Sequence, residues 1–290
     1  MVNEVVHHLK KKRDGVIIDC TLGDGGHAKK LLETLKGQCR LIGLDQDKEA
    51  IARSRENLKE FKDSIILKNI NFALLDTVCN ELKIARVDAF LFDLGISLDH
   101  LMDARRGFSF MHDGPLDMRM DQRGGTTAYD IVNNASQSEL YRIIGEYGEE
   151  RRAGRIARAI VNARGKQAIK TTHELAGLIE KCYGRKRFSK IHPATKTFQA
   201  IRIAVNRELE SLKNALDKVI HFIAYDGIIC VISFHSLEDR IVKYTFKDWA
   251  QRGLVNIVTK KPIRPSREEI IQNVRARSAK MRIAKRSLQE

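Results

Sequence analysis

A glycine loop and two aspartates carry most of the chemistry legible in this chain. Gly23-Asp24-Gly25-Gly26-His27-Ala28 follows the β-branched run Val16-Ile17-Ile18, and a second apolar run stops at Asp45. A strand that breaks into glycines lets backbone approach a ligand closely. A carboxylate about 20 positions further on can accept hydrogen bonds from a ribose diol. The loop also fits the looser fingerprint G-x-G-x-x-A, which points to a ribose-bearing cofactor but to no reaction. A dinucleotide and S-adenosylmethionine would use it equally, and a tight turn with no ligand would read the same way. Asp93 ends a further apolar run in Val87–Ser97 and is followed by the turn Leu94-Gly95. It can accept a hydrogen bond from an adenine or substrate amino group, or cap the turn.

Other chemistries find less support. The histidines His27, His112, His173, His192 and His235 lie far apart, without an HxxxH pair, so no metal is expected. No Gly-x-Ser-x-Gly nucleophile motif occurs, and Cys20 and Cys230 read as buried strand residues. His235, Ser236 and Glu238 after a later apolar run are second catalytic candidates, with helix capping as the competing role. The stretch Arg105–Asp121 is dense in special residues. Arg105 and Arg106 could meet phosphate while Phe108 and Phe110 stack bases, or the two aromatics could anchor a core.

The elements that must position these residues follow from periodicity. Apolar runs at Gly15–Thr21, Arg40–Leu44, Ile65–Lys68 and Val87–Leu94 predict strands, with helices over Ala28–Leu35 and Lys48–Phe61 between them. That alternation predicts an α/β fold with a parallel sheet. From Asp103 to about Pro193 the chain turns polar and helix-prone, with helices over Leu140–Tyr147, Arg151–Asn162 and Thr172–Cys182. The last has Thr171 and Glu174 placed as a capping box. One long helix is expected from Thr195 to about Phe222, then a strand over Gly227–Ser233. A helical insertion in one α/β domain explains this order. The expected domains are 1–104 with 194–290, and an inserted helical, RNA-recognising domain at 105–193.

The net charge is +15. Arg151–Lys196 holds 13 basic residues against Glu174 and Glu180, and Lys260–Glu290 holds 10 against Glu268, Glu269 and Glu290. Two basic blocks on an otherwise near-neutral chain predict a polyanionic partner. The helices around Arg151–Arg158 and Arg185–Lys190 (with Arg185, Lys186 and Arg187) and the tail Arg275–Arg286 are the expected phosphate grips. No apolar run reaches 18 residues and the five cysteines form no CxxC pair, so a cytoplasmic protein with no membrane partner is expected.

The blocks TLGDGGH, DLGIS, RRGFSFMHDGPLDMRMD, HPATKTFQAIRIAVNREL, ISFHSLEDRIVK and PSREEI…RARSAKMRIAKR span most of the chain. Together they resemble the RsmH/MraW family of bacterial small-subunit rRNA methyltransferases. The resemblance implies a Rossmann-like S-adenosylmethionine-dependent methyltransferase fold with an inserted helical domain. It implies methylation of the exocyclic N(4) amino group of a cytidine in the decoding region of 16S rRNA, within the small ribosomal subunit. A homodimer is among the assemblies it admits. By position it implies cofactor contacts at Gly25, Gly26, His27, Asp45, Phe72, Asp93 and His100. His100 stands where the family often has Gln, and Val274 where it usually has Pro. The chain begins at Met1-Val2-Asn3-Glu4 without the His-x-Pro-Val segment that the family carries before it, so an upstream start is expected. No Asp/Asn-Pro-Pro-aromatic motif is present, and Asp93 is the catalytic candidate. The alternatives are an NAD-linked oxidoreductase using the same loop and a non-catalytic RNA-binding ribosome assembly factor.

Overall fold

The β-branched runs that flank the glycine loop become neighbouring parallel strands, and the loop opens from the end of one of them. The structure, a computed structural model, describes residues 1–10, 12, 14–184 and 192–288. The chain divides into two compact units, Met1–Gly95 with Leu209–Glu290, and Ile96–Glu208.

In chain order, the first unit opens with α1 (Val2–Leu9), β1 (Val16–Asp19), α2 (Gly26–Thr34), β2 (Arg40–Asp45), α3 (Lys48–Asn57), β3 (Ile65–Asn69), α4 (Leu75–Glu81) and β4 (Val87–Asp93). The second unit holds α5 (Leu98–Met102), α6 (Ala128–Asn134), α7 (Gln137–Arg142), α8 (Ala153–Arg164), α9 (Thr172–Lys181) and α10 (Thr195–Asn206). The first unit then closes with α11 (Glu208–Phe222), β5 (Ile223–Ser233), α12 (Ser236–Gln251), β6 (Val255–Ile257), α13 (Arg267–Gln272) and β7 (Lys280–Arg286).

The seven strands form one sheet in the order β3-β2-β1-β4-β5-β7-β6. The first five pair in parallel, and β7 runs antiparallel to both β5 and β6. Because successive strand side chains point to opposite faces, a continuous apolar run supplies two cores at once. Ile18, Ile42, Phe90, Phe92 and Val231 pack on one face with Leu212, Leu216, Val242 and Trp249. Ile17, Leu41, Leu91, Ile232, Met281 and Ile283 pack on the other with Val5, Leu31 and Leu32. Phe90 and Phe92 are fully buried, each stabilising the fold by about 1.5–3 kcal/mol relative to an exposed ring.

Two predictions about this sheet need correction. The tail, for which no strand is predicted, supplies one, because Lys280–Arg286 inserts as β7 with Met281, Ile283 and Ala284 buried. The long helix is two helices. Arg207 adopts φ 49°, a left-handed conformation that ends α10 before α11 begins.

The helical unit packs Ile144, Ile156, Ile160, Leu175, Ile179, Phe198 and Ile201 into its own core. Thr171 and Glu174 form the expected capping box on α9. The helix predicted at Leu140–Tyr147 starts earlier as α7 and continues as a π-helical turn over Ile143–Tyr147. The unit is wider than 105–193, because Ile96 and Leu101 at one end and Ala194, Phe198 and Ile201 at the other join its core. Among the described residues no helix is long and apolar enough to cross a membrane.

Candidate functional site

β1 lies between β2 and β4, with Asp19 level with Gly43 on one side and Leu91 on the other. The chain winds from β1 toward β3 in one direction and from β4 toward β5 in the other. Ligands of open α/β sheets bind beyond the carboxyl ends of the strands at such a switch point. The glycine loop, Asp45 and Asp93 all sit at that edge.

The loop is built by its glycines. Gly23 and Gly25 hold φ of 53° and 82°, a region that side chains resist, and Gly25 is the N-cap of α2. A Cβ at Gly23 or Gly26 would meet nothing within 4 Å, so the loop presents bare backbone to open space. The first-turn N–H groups of α2 have no partners within the helix and favour an anionic group. Asp45 holds the loop in place. Its Oδ2 accepts from the Gly23 N–H at 2.8 Å and its Oδ1 from the Asp47 N–H at 2.8 Å.

Across the crevice, His27 Nε2 lies 3.3 Å from Asp93 Oδ2. The Asp93 N–H donates to Thr21 Oγ1 at 2.6 Å, and the Thr21 N–H donates to Asp19 Oδ1 at 3.1 Å. Burial pulls the His27 pKa down, but its hydrogen bond to Asp93 and the charges of Asp93 and Asp19 leave it raised. Asp19 is only 1% exposed. Burial pushes its carboxyl up to about 7 against the pull of His27 and the Thr21 N–H, and Asp93 and Asp45 add to the rise. His27 Nδ1 and Asp93 Oδ1 are buried without a hydrogen-bond partner among the described residues. Each such atom costs about 1–3 kcal/mol unless a ligand or water completes it. The crevice is therefore incomplete without a polar occupant. Open backbone, an exposed helix start, an oriented carboxylate and two unfilled polar atoms fit an amino-acid nucleoside.

Phe72 stands at the start of a 3-10 turn capped by Asn71 and meets Phe92 edge-on, with ring centres 5.6 Å apart. Asn71 in turn donates to Gln46 beside Asp45 at 2.7 Å. Asp19 and Thr21 were missed by sequence reasoning, although an aspartate closing the otherwise apolar Val16–Asp19 was a signal available to find it. His235 and Glu238 cap α12 reciprocally, which favours the capping role. The thiols of Cys20 and Cys230 are buried and pushed up by burial, so neither is an activated nucleophile.

In the helical unit several expected roles change. His100 is buried, pairs with Ser97 in the capping box of α5, and lies with its ring centre 4.9 Å from that of Phe108. Arg106 is 4% exposed and donates to the Arg119 and Met120 carbonyls at 3.0 and 3.1 Å. Phe108 is buried in the unit's core. Neither is placed to meet RNA, because backbone carbonyls and packing occupy them. Arg105 is exposed but forks onto Asp103. Arg185, Lys186 and Arg187 lie outside the described residues. The tail's phosphate role also needs correction. Lys280 and Arg282 hold Asp239, Lys285 holds Asp226, and Arg286 donates to the Leu254 carbonyl. Arg275 and Arg277 remain exposed.

The family model for the MraW methylase family matches residues 1–287. A Kosmotoga olearia protein named ribosomal RNA small subunit methyltransferase H is 48% identical over 290 residues, covering 99% of this chain and 96% of that one. A Clostridium botulinum protein of the same name is 43% identical over 301 residues, covering 99% and 97%. The crystal structure of a candidate rRNA methylase from Clostridium thermocellum aligns over 100% of this chain and 97% of its own with a TM-score of 0.50 at 12% identity, a likeness of fold. Methylase relatives of this length and identity remove the oxidoreductase alternative, and the chain belongs to the MraW methylase family.

Proposed function

We propose that this methylase transfers a methyl group from S-adenosylmethionine to the N(4) amino group of a cytidine in 16S rRNA, acting in the cytoplasm on the small ribosomal subunit. The observation that supports this reading best is the pair of unfilled polar atoms, His27 Nδ1 and Asp93 Oδ1, beside an open glycine loop at the sheet's switch point. Gly25, Gly26 and the start of α2 would hold the amino-acid end of the cofactor. Asp45 would take the ribose and Phe72 the adenine. The cofactor supplies a methyl group on a sulfonium, already a good leaving group.

The protein's contribution is then positioning and electrostatics. The lone pair of a cytosine amino nitrogen is conjugated with the ring, so that amine needs hydrogen-bond acceptors to turn it toward the methyl donor. Asp93 can provide one. His27 holds its Oδ2 and Thr21 its backbone N–H, which fixes the carboxylate while Oδ1 stays available. A target base inside folded rRNA must first leave its stack.

Calorimetric titration with S-adenosylmethionine and with NAD, joined to mass mapping of 16S rRNA from a strain lacking the gene, tests the proposal. Binding of the first ligand alone and loss of one methyl group on a decoding-region cytidine are expected. Cofactor binding with unchanged rRNA methylation would favour a non-catalytic assembly factor instead. Asp93→Asn should lower kcat more than it weakens cofactor binding. The reverse split would make Asp93 a cofactor contact only.

A further inference from the structure

The helical unit carries a groove remote in sequence from the residues of the cofactor crevice. Gln137, Ser138 and Tyr141 of α7 and Gly154 and Arg158 of α8 line about 550 Å³, a size typical of small-ligand sites, roughly 300–1,000 Å³. Its lining combines an aromatic ring, a cation and neutral polar groups. Tyr141 is 58% exposed, and among the described residues its ring has no aromatic or cationic partner. Arg158 is exposed and has no carboxylate within ion-pair distance among the described residues. Gln137 is exposed and its amide has no partner among the described residues, while the Ser138 hydroxyl lies 3.0 Å from that of Ser136.

Gly154 is the informative position. It lies in the first turn of α8, and nothing in the backbone there requires a glycine, since its φ is not positive. A Cβ there would stand 3.7 Å from the Tyr141 ring. The missing side chain keeps one side of that ring open. Exposed Arg151 and Arg155 extend the positive surface along and just before α8.

We propose that this groove binds one unpaired nucleotide of the RNA substrate. The base stacks on Tyr141, Gln137 and Ser138 address its polar edge, and Arg158 meets a flanking phosphate. The proposal deepens the rRNA reading above and rests on it. An aromatic platform beside an arginine is the chemistry that single-stranded RNA recognition uses. An acidic protein segment would be drawn by the arginines but would gain little from an open tyrosine face with amide and hydroxyl neighbours.

The test uses the full-length protein and fluorescence anisotropy with a decoding-region RNA hairpin carrying an unpaired loop, and with a fully paired duplex of similar length. Tyr141→Ala should weaken hairpin binding roughly 5- to 150-fold, the range for loss of one stacked base. Tyr141→Phe should restore it, since the ring face is kept. Gly154→Ala should also weaken it while leaving thermal stability equal or higher, which a merely structural role would not produce. Arg158→Ala should flatten the salt dependence by about 0.7 in the log–log slope, one single-strand phosphate contact. Duplex binding should respond to Arg158→Ala but not to Tyr141→Ala.

If the wild-type protein binds neither RNA nor assembled small subunits, the rRNA reading itself falls; binding to subunits with none to the hairpin overturns the groove proposal alone. If it binds the hairpin and both Tyr141→Ala and Gly154→Ala leave affinity unchanged, the groove proposal is overturned while that reading stands. Weakened association with assembled subunits, but not with the hairpin, would assign the groove to a protein contact and also overturn it.

Discussion

Replacing Asp19 by asparagine should change how stability depends on pH, because this carboxyl is buried with its titration moved into the neutral range. Its ordinary value is 3.8, and in the fold it is pushed up to about 7, chiefly by burial. Below about pH 4 it is protonated in the folded and unfolded chains alike and carries no penalty. Between about pH 4 and pH 7 the unfolded chain releases a proton that the folded chain keeps, so stability falls as pH rises. Above about pH 7 both are ionised and the full penalty is present. Three units at 1.36 kcal/mol each amount to about 4 kcal/mol in all, of which roughly 3 kcal/mol falls between pH 5 and pH 8. The asparagine amide would keep an oxygen for the Thr21 N–H and cannot ionise. Urea unfolding of both proteins without cofactor, across that pH range, measures the difference; groups remote from Asp19 cancel in the subtraction, whereas His27, whose pKa the Asp19 charge helps to raise, contributes to it. The variant should gain on the wild type by about 3 kcal/mol as pH rises from 5 to 8. Parallel stability curves would refute the buried, proton-holding carboxyl.

Three further outcomes follow from the same structure. Asp45→Asn should raise the dissociation constant for S-adenosylmethionine about 10- to 100-fold, measured by calorimetry, because an amide cannot accept from both the Gly23 and the Asp47 N–H groups. Gly107→Ala should destabilise the helical unit by about 3 kcal/mol or more, seen as lost hydrogen-exchange protection across 96–208, since Gly107 has φ 69° and a Cβ would fall 2.1 Å from the Pro115 carbonyl oxygen. Asp239→Ala should lower unfolding free energy by about 2–3 kcal/mol at neutral pH. It strands Arg282 and Lys280, whose nitrogens sit 2.7 and 3.1 Å from the carboxylate. Arg282 and Lys280 together outweigh burial and hold the Asp239 carboxyl below the usual range, so this contribution should fade as pH drops through that depressed value.

The strands beside the cofactor crevice were legible because each is buried on both faces and therefore reads as an unbroken apolar run. Val16-Ile17-Ile18 and Phe90-Leu91-Phe92 needed no long-range knowledge. β7 has the opposite character. Its apolar residues Met281 and Ile283 alternate with Lys280, Arg282 and Lys285, whose partners Asp239 and Asp226 lie more than 40 positions away. A local reading sees only a basic segment there. Arg106 and Phe108 misled for a related reason: an arginine beside aromatics suggests RNA, but this guanidinium meets backbone carbonyls 13 and 14 positions on. The break at Arg207 left no trace in the apolar spacing, since α10 and α11 continue the same three-and-four step. Within the crevice, Asp45 and Asp93 were visible as strand ends, whereas the coupling of Asp19, Thr21, Asp93 and His27 is a property of folded distances.

The basic charge divides by what the fold does with each residue, and that division bears on where RNA affinity resides. Arg282 and Lys280 are engaged with Asp239, Lys285 with Asp226, and Arg286 with a backbone carbonyl. Arg152 donates to the Cys182 carbonyl and lies 4.4 Å over the Tyr183 ring. For such a residue a phosphate contact replaces an existing charge-assisted hydrogen bond worth about 1.5–3 kcal/mol, so the net gain is small. Arg151, Arg155 and Arg158 are exposed and have no carboxylate within ion-pair distance among the described residues. A phosphate meeting them displaces only water and counterions, and that release is what drives non-specific binding. The tail's charge is therefore split: Lys280, Arg282, Lys285 and Arg286 are engaged around β7, whereas Lys260, Lys261, Arg264, Arg267, Arg275 and Arg277 are exposed. The arginines along and just before α8 are left as a described basic group whose charge is free to act on a polyanion, and the Tyr141 groove opens among them.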